Sequence, residues 1–213
     1  VNAIAPGAPP RALIVAVDGA LADTATARAN AVLTAALAAA GDRAMPPVRA
    51  ELVTGALRGR PMHEAVELLW PAVVEHDPTR LTLVALEAER LLTESLRVGQ
   101  GVRIDRALQQ RVLDALAGGT RVVLRSDSAR SGVEALLAHS ALAGQPFTLL
   151  CADDRTATQH SGPVAERTWQ TIDRRLQGLD IPAAARLAIE ATHEVAAIAR
   201  AFAAHVEVWT ASQ

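Results

Sequence analysis

Several polar residues stand where apolar runs end, and those are the positions from which this chain could do chemistry. Asp18 closes the run ALIVAV and is followed by Gly19, a turn signal. A side chain at such a strand end faces the crevice in which open parallel α/β sheets hold ligands. Ser126-Asp127-Ser128 follows the β-branched run TRVVL and Arg125. A serine between a strand and a helix offers a hydroxyl and free backbone N–H groups to an anion, with ordinary helix capping as the competing role. Arg125 and Arg130 add fixed positive charge on either side of it. His160, in QHSGP, is a shorter and only partly charged contact for an anion, or simply an exposed loop histidine. Glu190 closes ARLAIE, and a lone carboxylate there falls short of a magnesium site, which takes several oxygens around an octahedron.

Gathering these residues requires a sheet. Residues 11–17, 120–124, 146–151, 185–190 and 206–209 are short, apolar and rich in β-branched side chains, as buried strands are. Between them, apolar residues three and four apart predict helices over 25–40 (stopped at Gly41-Asp42), 61–74, 79–98, 104–117, 130–139, 164–176 and 192–204. The strand-free stretch around 61–98 predicts a small helical bundle with Met62, Leu68, Leu69 and Trp70 in its core and His63 on its surface or at a cap.

The chain has 213 residues, 50% hydrophobic and 21% charged, enough for one sizeable core. A net charge of -2 gives no electrostatic reason to expect nucleic acid or an anionic membrane as partner. No apolar run approaches the roughly 20 residues of a membrane span, and the opening VNAIAPGAPP reads as a loose tail rather than a signal peptide. The single cysteine, Cys151, is expected to be a buried strand residue, compatible with a reducing, cytoplasmic setting. All 21 basic residues are arginine. Without lysine there is no Schiff-base amine and no P-loop.

The segment VAVDGALADT resembles the first motif, DxDGTLxDT, of the haloacid dehalogenase-like hydrolases, and more narrowly their phosphoglycolate phosphatase and β-phosphoglucomutase branch. Asp18, Gly19, Leu21, Asp23 and Thr24 match the motif, while its first aspartate falls on Ala16. The resemblance implies an α/β fold: a Rossmann-like parallel-sheet core over residues 1–24 and 101–213, with an inserted α-helical cap over 25–100. It further implies that Asp18 holds the acid/base position and Ala16 the position of a lost nucleophile. Ser126, with Asp127, Arg130 and His160, would hold the ligand, His160 standing where the family has a lysine. Glu190-Ala191 replaces an acidic pair whose second member binds Mg²⁺, so that Glu190 is a residue of a metal site no longer expected to take metal. Three degenerate positions together fit natural loss better than a single engineered knockout.

The resulting expectation is a protein without Mg²⁺-dependent phosphatase activity and without a cofactor, acting by binding a protein partner or a small phosphorylated or other anionic ligand. The competing expectation is a hydrolase with altered machinery, Asp18 activating water while Arg125, Arg130 or His160 holds the anion; Mg²⁺ would enter only there. A third reading is a purely structural subunit whose crevice has no role.

Overall fold

Alternation along the first strand builds two cores at once. In β1 (Ala12–Ala16) every residue is buried; Leu13 and Val15 enter one apolar cluster, Ala12 and Ile14 the other, on opposite faces of the sheet. The computed structural model describes residues 10–39, 45–57, 60–99, 102–154 and 164–209. After β1 come β2 (Ala22–Asp23) and five helices, α1 (Ala25–Ala38), α2 (Ala50–Leu57), α3 (Met62–Leu69), α4 (Pro71–His76) and α5 (Pro78–Arg97). Then follow β3 (Arg103–Ile104), α6 (Arg106–Ala117), β4 (Arg121–Arg125), α7 (Arg130–Ala138), β5 (Thr148–Leu150), α8 (Val164–Gln177), β6 (Arg186–Glu190), α9 (His193–Ala199) and β7 (His205–Val208).

The five long strands form one parallel sheet in the order β5-β4-β1-β6-β7. Strand order reverses beside β1, which places the ends of β4, β1 and β6 around one crevice. One face of the sheet is covered through Leu108 and Val112 of α6 and Val133, Leu136 and Leu137 of α7. The other is covered by Trp169, Ile172 and Leu176 of α8 and Ala199 of α9. The fold is therefore α/β with a parallel core sheet, flanking helices and a helical cap. β2 and β3 pair antiparallel at the two crossings between the sheet and the cap helices, Ala22 opposite Ile104 and Asp23 opposite Arg103.

The cap's apolar side chains, among them Met62, Val66, Val84, Leu92 and Leu96, join the same cluster as one face of the sheet. The cap packs tightly on the sheet layer at Gly132 of α7, where a Cβ would lie 3.2 Å from Leu96 Cδ1 and 3.3 Å from Thr93 Oγ1 of α5.

Several expectations need correction. The helix predicted over 61–74 is two helices, because Trp70 leaves helical geometry and Pro71, which has no N–H to give, starts α4. Leu68 is 56% exposed rather than core, whereas Met62 and Trp70 are buried. Helix α6 starts at Arg106, not 104, since the Asp105 side chain accepts from Leu108 N at 2.9 Å and caps it. The last helix ends at Ala199, and α2 had no separate prediction. Cys151 is buried, as expected, but lies one residue past β5. The predicted stop at Gly41-Asp42 and the loop around His160 lie outside the described residues.

Candidate functional site

The turn after β1 is tight because Gly19 takes φ +82°, and a Cβ on it would sit 2.9 Å from Ala191 Cβ. That turn lifts Asp18 off the strand end into a nest of donors. Its carboxylate accepts from Ser126 Oγ at 2.5 Å, Asp127 N at 2.9 Å, Thr24 Oγ1 at 2.9 Å and Ser128 Oγ at 3.3 Å. A carboxylate has about four lone-pair sites, so these contacts saturate it. Ser126, Asp127, Ser128 and Thr24 are all buried. Ser126 does not cap α7: Ala129 holds that position, while Ser126 Oγ accepts from Ser128 N at 3.0 Å. Thr24 likewise sits at the cap of α1 without capping it, its hydroxyl having turned to Asp18.

A second group forms across the strand ends. Ala16 is paired with Arg125 in the β1–β4 register, and Glu190 stands on β6 one step beyond the paired Val15 and Ile189. Arg125, Ala16 and Glu190 thus form a row across three neighbouring strands. The Arg125 guanidinium passes the small Ala16 and binds Glu190 with both oxygens, Nε to Oε1 at 2.7 Å and Nη2 to Oε2. Its Nη1 lies 3.7 Å from Asp127 Oδ2. Both members of the pair are buried, Glu190 at 0% exposure and Arg125 at 5%. Burial pushes the Glu190 carboxyl up and Arg125 opposes that shift; burial also disfavours the guanidinium, but Glu190 outweighs it and holds Arg125 firmly protonated. Arg125, expected as an anion holder, is instead bound to the protein's own carboxylate.

Asp18, Ser126 and Asp127 are therefore brought together. Arg130 is turned elsewhere: its Nη2 donates to Asp154 Oδ2 at 2.6 Å and to the Leu149 carbonyl at 3.1 Å. His160 lies outside the described residues.

The chain's architecture is shared with proteins of known structure. CbbY from Rhodobacter sphaeroides, solved in complex with phosphate, aligns at 18% identity over 93% of this chain and 85% of its own, TM-score 0.69. A predicted phosphoglycolate phosphatase from Haemophilus somnus aligns at 12% identity over 93% and 83%, TM-score 0.69. A β-phosphoglucomutase from Clostridium difficile aligns at 14% identity over 90% and 81%, TM-score 0.65. The fold is the one these structures share with a putative haloacid dehalogenase-like hydrolase from Bacteroides fragilis. The sequence matches no protein-family model and no curated protein. At such identities the haloacid dehalogenase-like fold is what is shared.

Beside the strand-end crevice, a cleft of about 270 Å³ opens between the cap and the sheet layer. Met62, His63 and Glu67 of α3 and Leu81, Ala85, Leu86 and Glu89 of α5 line one side, Ala129, Ala152 and Asp153 the other. Glu89 was not singled out from the sequence, where EAERLL reads as ordinary helix. Its Oε2 accepts from Ala129 N at 3.4 Å, and burial raises its carboxyl above the usual 4.5, against the field of Arg28 and with that of Asp18 and Asp153.

Cys151, Asp153 and Asp154 offer ligand atoms within 4.8 Å of one another. Burial pushes the thiol up to about 12, away from the thiolate a metal needs. Asp154 is bonded by Arg130 and by Cys151 N, and Asp153 by Arg130 N. No helix among the described residues is long and apolar enough to cross a membrane.

Proposed function

We propose that this haloacid dehalogenase-like protein carries out no Mg²⁺-dependent phosphoryl transfer and acts by binding. The observation that carries this reading is the Arg125–Glu190 pair. In-line phosphoryl chemistry through a phosphoenzyme needs a carboxylate to attack phosphorus and a divalent ion to screen the oxyanions. Ala16 supplies no nucleophile, and the donor set does not suit Mg²⁺. Ala16 and Ala191 offer no oxygen from their side chains, both Glu190 oxygens are held by a guanidinium, and the Asp18 carboxylate is saturated by the protein's own donors.

The alternative, a hydrolase with Asp18 as base on water, needs a substrate anion between Asp18 and Ser126. Those two side chains are hydrogen-bonded at 2.5 Å, which leaves no room for a phosphate there. The same contact weighs against a small anion as the bound ligand and in favour of a different occupant or a protein partner.

The test is turnover of aryl phosphates and small sugar phosphates with Mg²⁺ by purified protein. We expect rates indistinguishable from buffer; turnover that disappears in Asp18→Asn would overturn the proposal.

A further inference from the structure

Large apolar side chains left in water are concentrated on the cap. Among the described residues, every exposed one but Leu179 lies between Leu37 and Val98, on the cap helices or at their ends. Leu52 of α2 and Leu68 of α3, 60% and 56% exposed, line one open groove of about 610 Å³ on the cap. Buried Trp70 lines it too, and its Nε1 already donates to the Pro46 carbonyl at 2.8 Å, so the indole asks for no polar partner. Gly55 lies in the same groove within α2, where glycine weakens a helix relative to alanine. Nothing inside the chain calls for it: its φ is not left-handed, and a Cβ on it would meet nothing within 4 Å. What it provides is room for a second backbone to approach α2. Arg49 and Glu51 stand exposed beside the groove, and neither makes an ion pair among the described residues.

We propose that this groove is the interface with a second copy of the chain, the two α2 helices crossing antiparallel about a two-fold axis beside Leu52. Self-complementarity selects this occupant. An isologous interface needs a projection and a hollow on the same patch, and here the exposed Leu52 stands beside the open space at Gly55. It also needs charges that answer each other across the axis. With the axis beside Leu52, Arg49 of one copy lies about 6 Å along the helix from the partner's Glu51, within reach of the two side chains. One free cation and one free anion sum to no net charge, so this rim draws in neither an acidic nor a basic partner and does not repel a copy of itself. The interface uses no residue of the strand-end crevice, and it stands or falls separately from the function proposed above.

Sedimentation velocity of the full chain at about 1 and about 100 µM reads the association directly. We expect wild type to be dimeric at the higher concentration. Leu52→Glu and Leu68→Glu, at exposed positions where the monomer loses little packing, should each raise the dimer Kd about tenfold or more. Exchanging the charges tests the two-fold arrangement itself. Arg49→Glu or Glu51→Arg alone sets like charges across the axis and should weaken the dimer about tenfold, and the double variant Arg49→Glu/Glu51→Arg should restore it. The far-ultraviolet dichroism and Tm of each variant at low concentration check that the monomer is folded. A wild type that stays monomeric at about 100 µM overturns the proposal, and uptake of anilinonaphthalenesulfonate by that monomer, lost in Leu68→Glu, would assign the groove to a small apolar ligand instead. A dimer indifferent to Leu52→Glu, or a double variant that associates no better than the single ones, overturns it as well.

Discussion

The strand-end crevice and the cap cleft lie side by side and have opposite electrostatic completeness. In the crevice every charge described has its answer within the chain: Asp18 in a nest of hydroxyls and one backbone N–H, Glu190 on Arg125. In the cleft, Glu67 and Asp153 are exposed to water, and the partly buried Glu89 accepts only from Ala129 N among the described residues, in the field of Arg28. A buried charge that is paired internally gives an external ion nothing to gain by entering, whereas the Glu89 carboxyl, raised by burial and only partly compensated by the field of Arg28, still loses by being ionised. The crevice that resembles an active site is thus the self-contained region, and the cleft holds a carboxyl whose charge is only partly compensated.

Breaking the crevice tests that contrast most severely. Glu190→Gln or Arg125→Met leaves one buried charge without its partner and should cost about 3–5 kcal/mol in urea denaturation. The double variant Arg125→Met/Glu190→Leu removes both charges and should recover most of that loss or exceed the parent. Single losses well below 1 kcal/mol would mean that the pair is not what completes the crevice.

Removing the other internal anion is the next largest effect. Asp18→Ala strips the acceptor from Ser126 Oγ, Asp127 N and Thr24 Oγ1, and the orphaned donors should cost about 1–3 kcal/mol in the same measurement. Gly19→Ala should cost about 1–2 kcal/mol for its left-handed backbone, plus the contact with Ala191. Gly19→Ala/Ala191→Gly relieves the contact and not the backbone, so only part of the loss should return.

The smallest and opposite effect belongs to the cleft. The Glu89 carboxyl titrates above its usual 4.5 in the folded protein, so its ionised form opposes folding at neutral pH. That penalty fades as pH falls through the raised value and is gone below the unfolded one. Glu89→Gln should therefore raise Tm at pH 7, with the gain vanishing below about pH 4.5. A variant that melts lower at pH 7 would show that Glu89 is already compensated, and the two regions would no longer differ.

Much of the scaffold was legible in the chain. A run such as TRVVL or ARLAIE is short, apolar and bounded by turn residues, as a buried strand is, and Asp18-Gly19 marks the turn where a crevice opens. The presence of Asp18, Ser126 and Asp127 near one another followed from strand ends being gathered on one side of a parallel sheet. Helix boundaries were legible only where a local signal existed. Pro71 divides a helical pattern that periodicity reads as continuous, and the exposure of Leu68 depends on what α3 packs against.

The sequence by itself determined the sheet and the cap, because those depend on residue type and order along the chain. Only the tertiary structure decided where the remaining charges point. Arg125 and Glu190 are 65 residues apart, and they meet because β4 and β6 flank β1 and Ala16 is small enough to let a guanidinium pass. Glu89 meets Ala129 N for the same kind of reason, because α5 packs against the start of α7. Pairing of distant charges is set by strand order and helix packing, and no local pattern in a sequence encodes either.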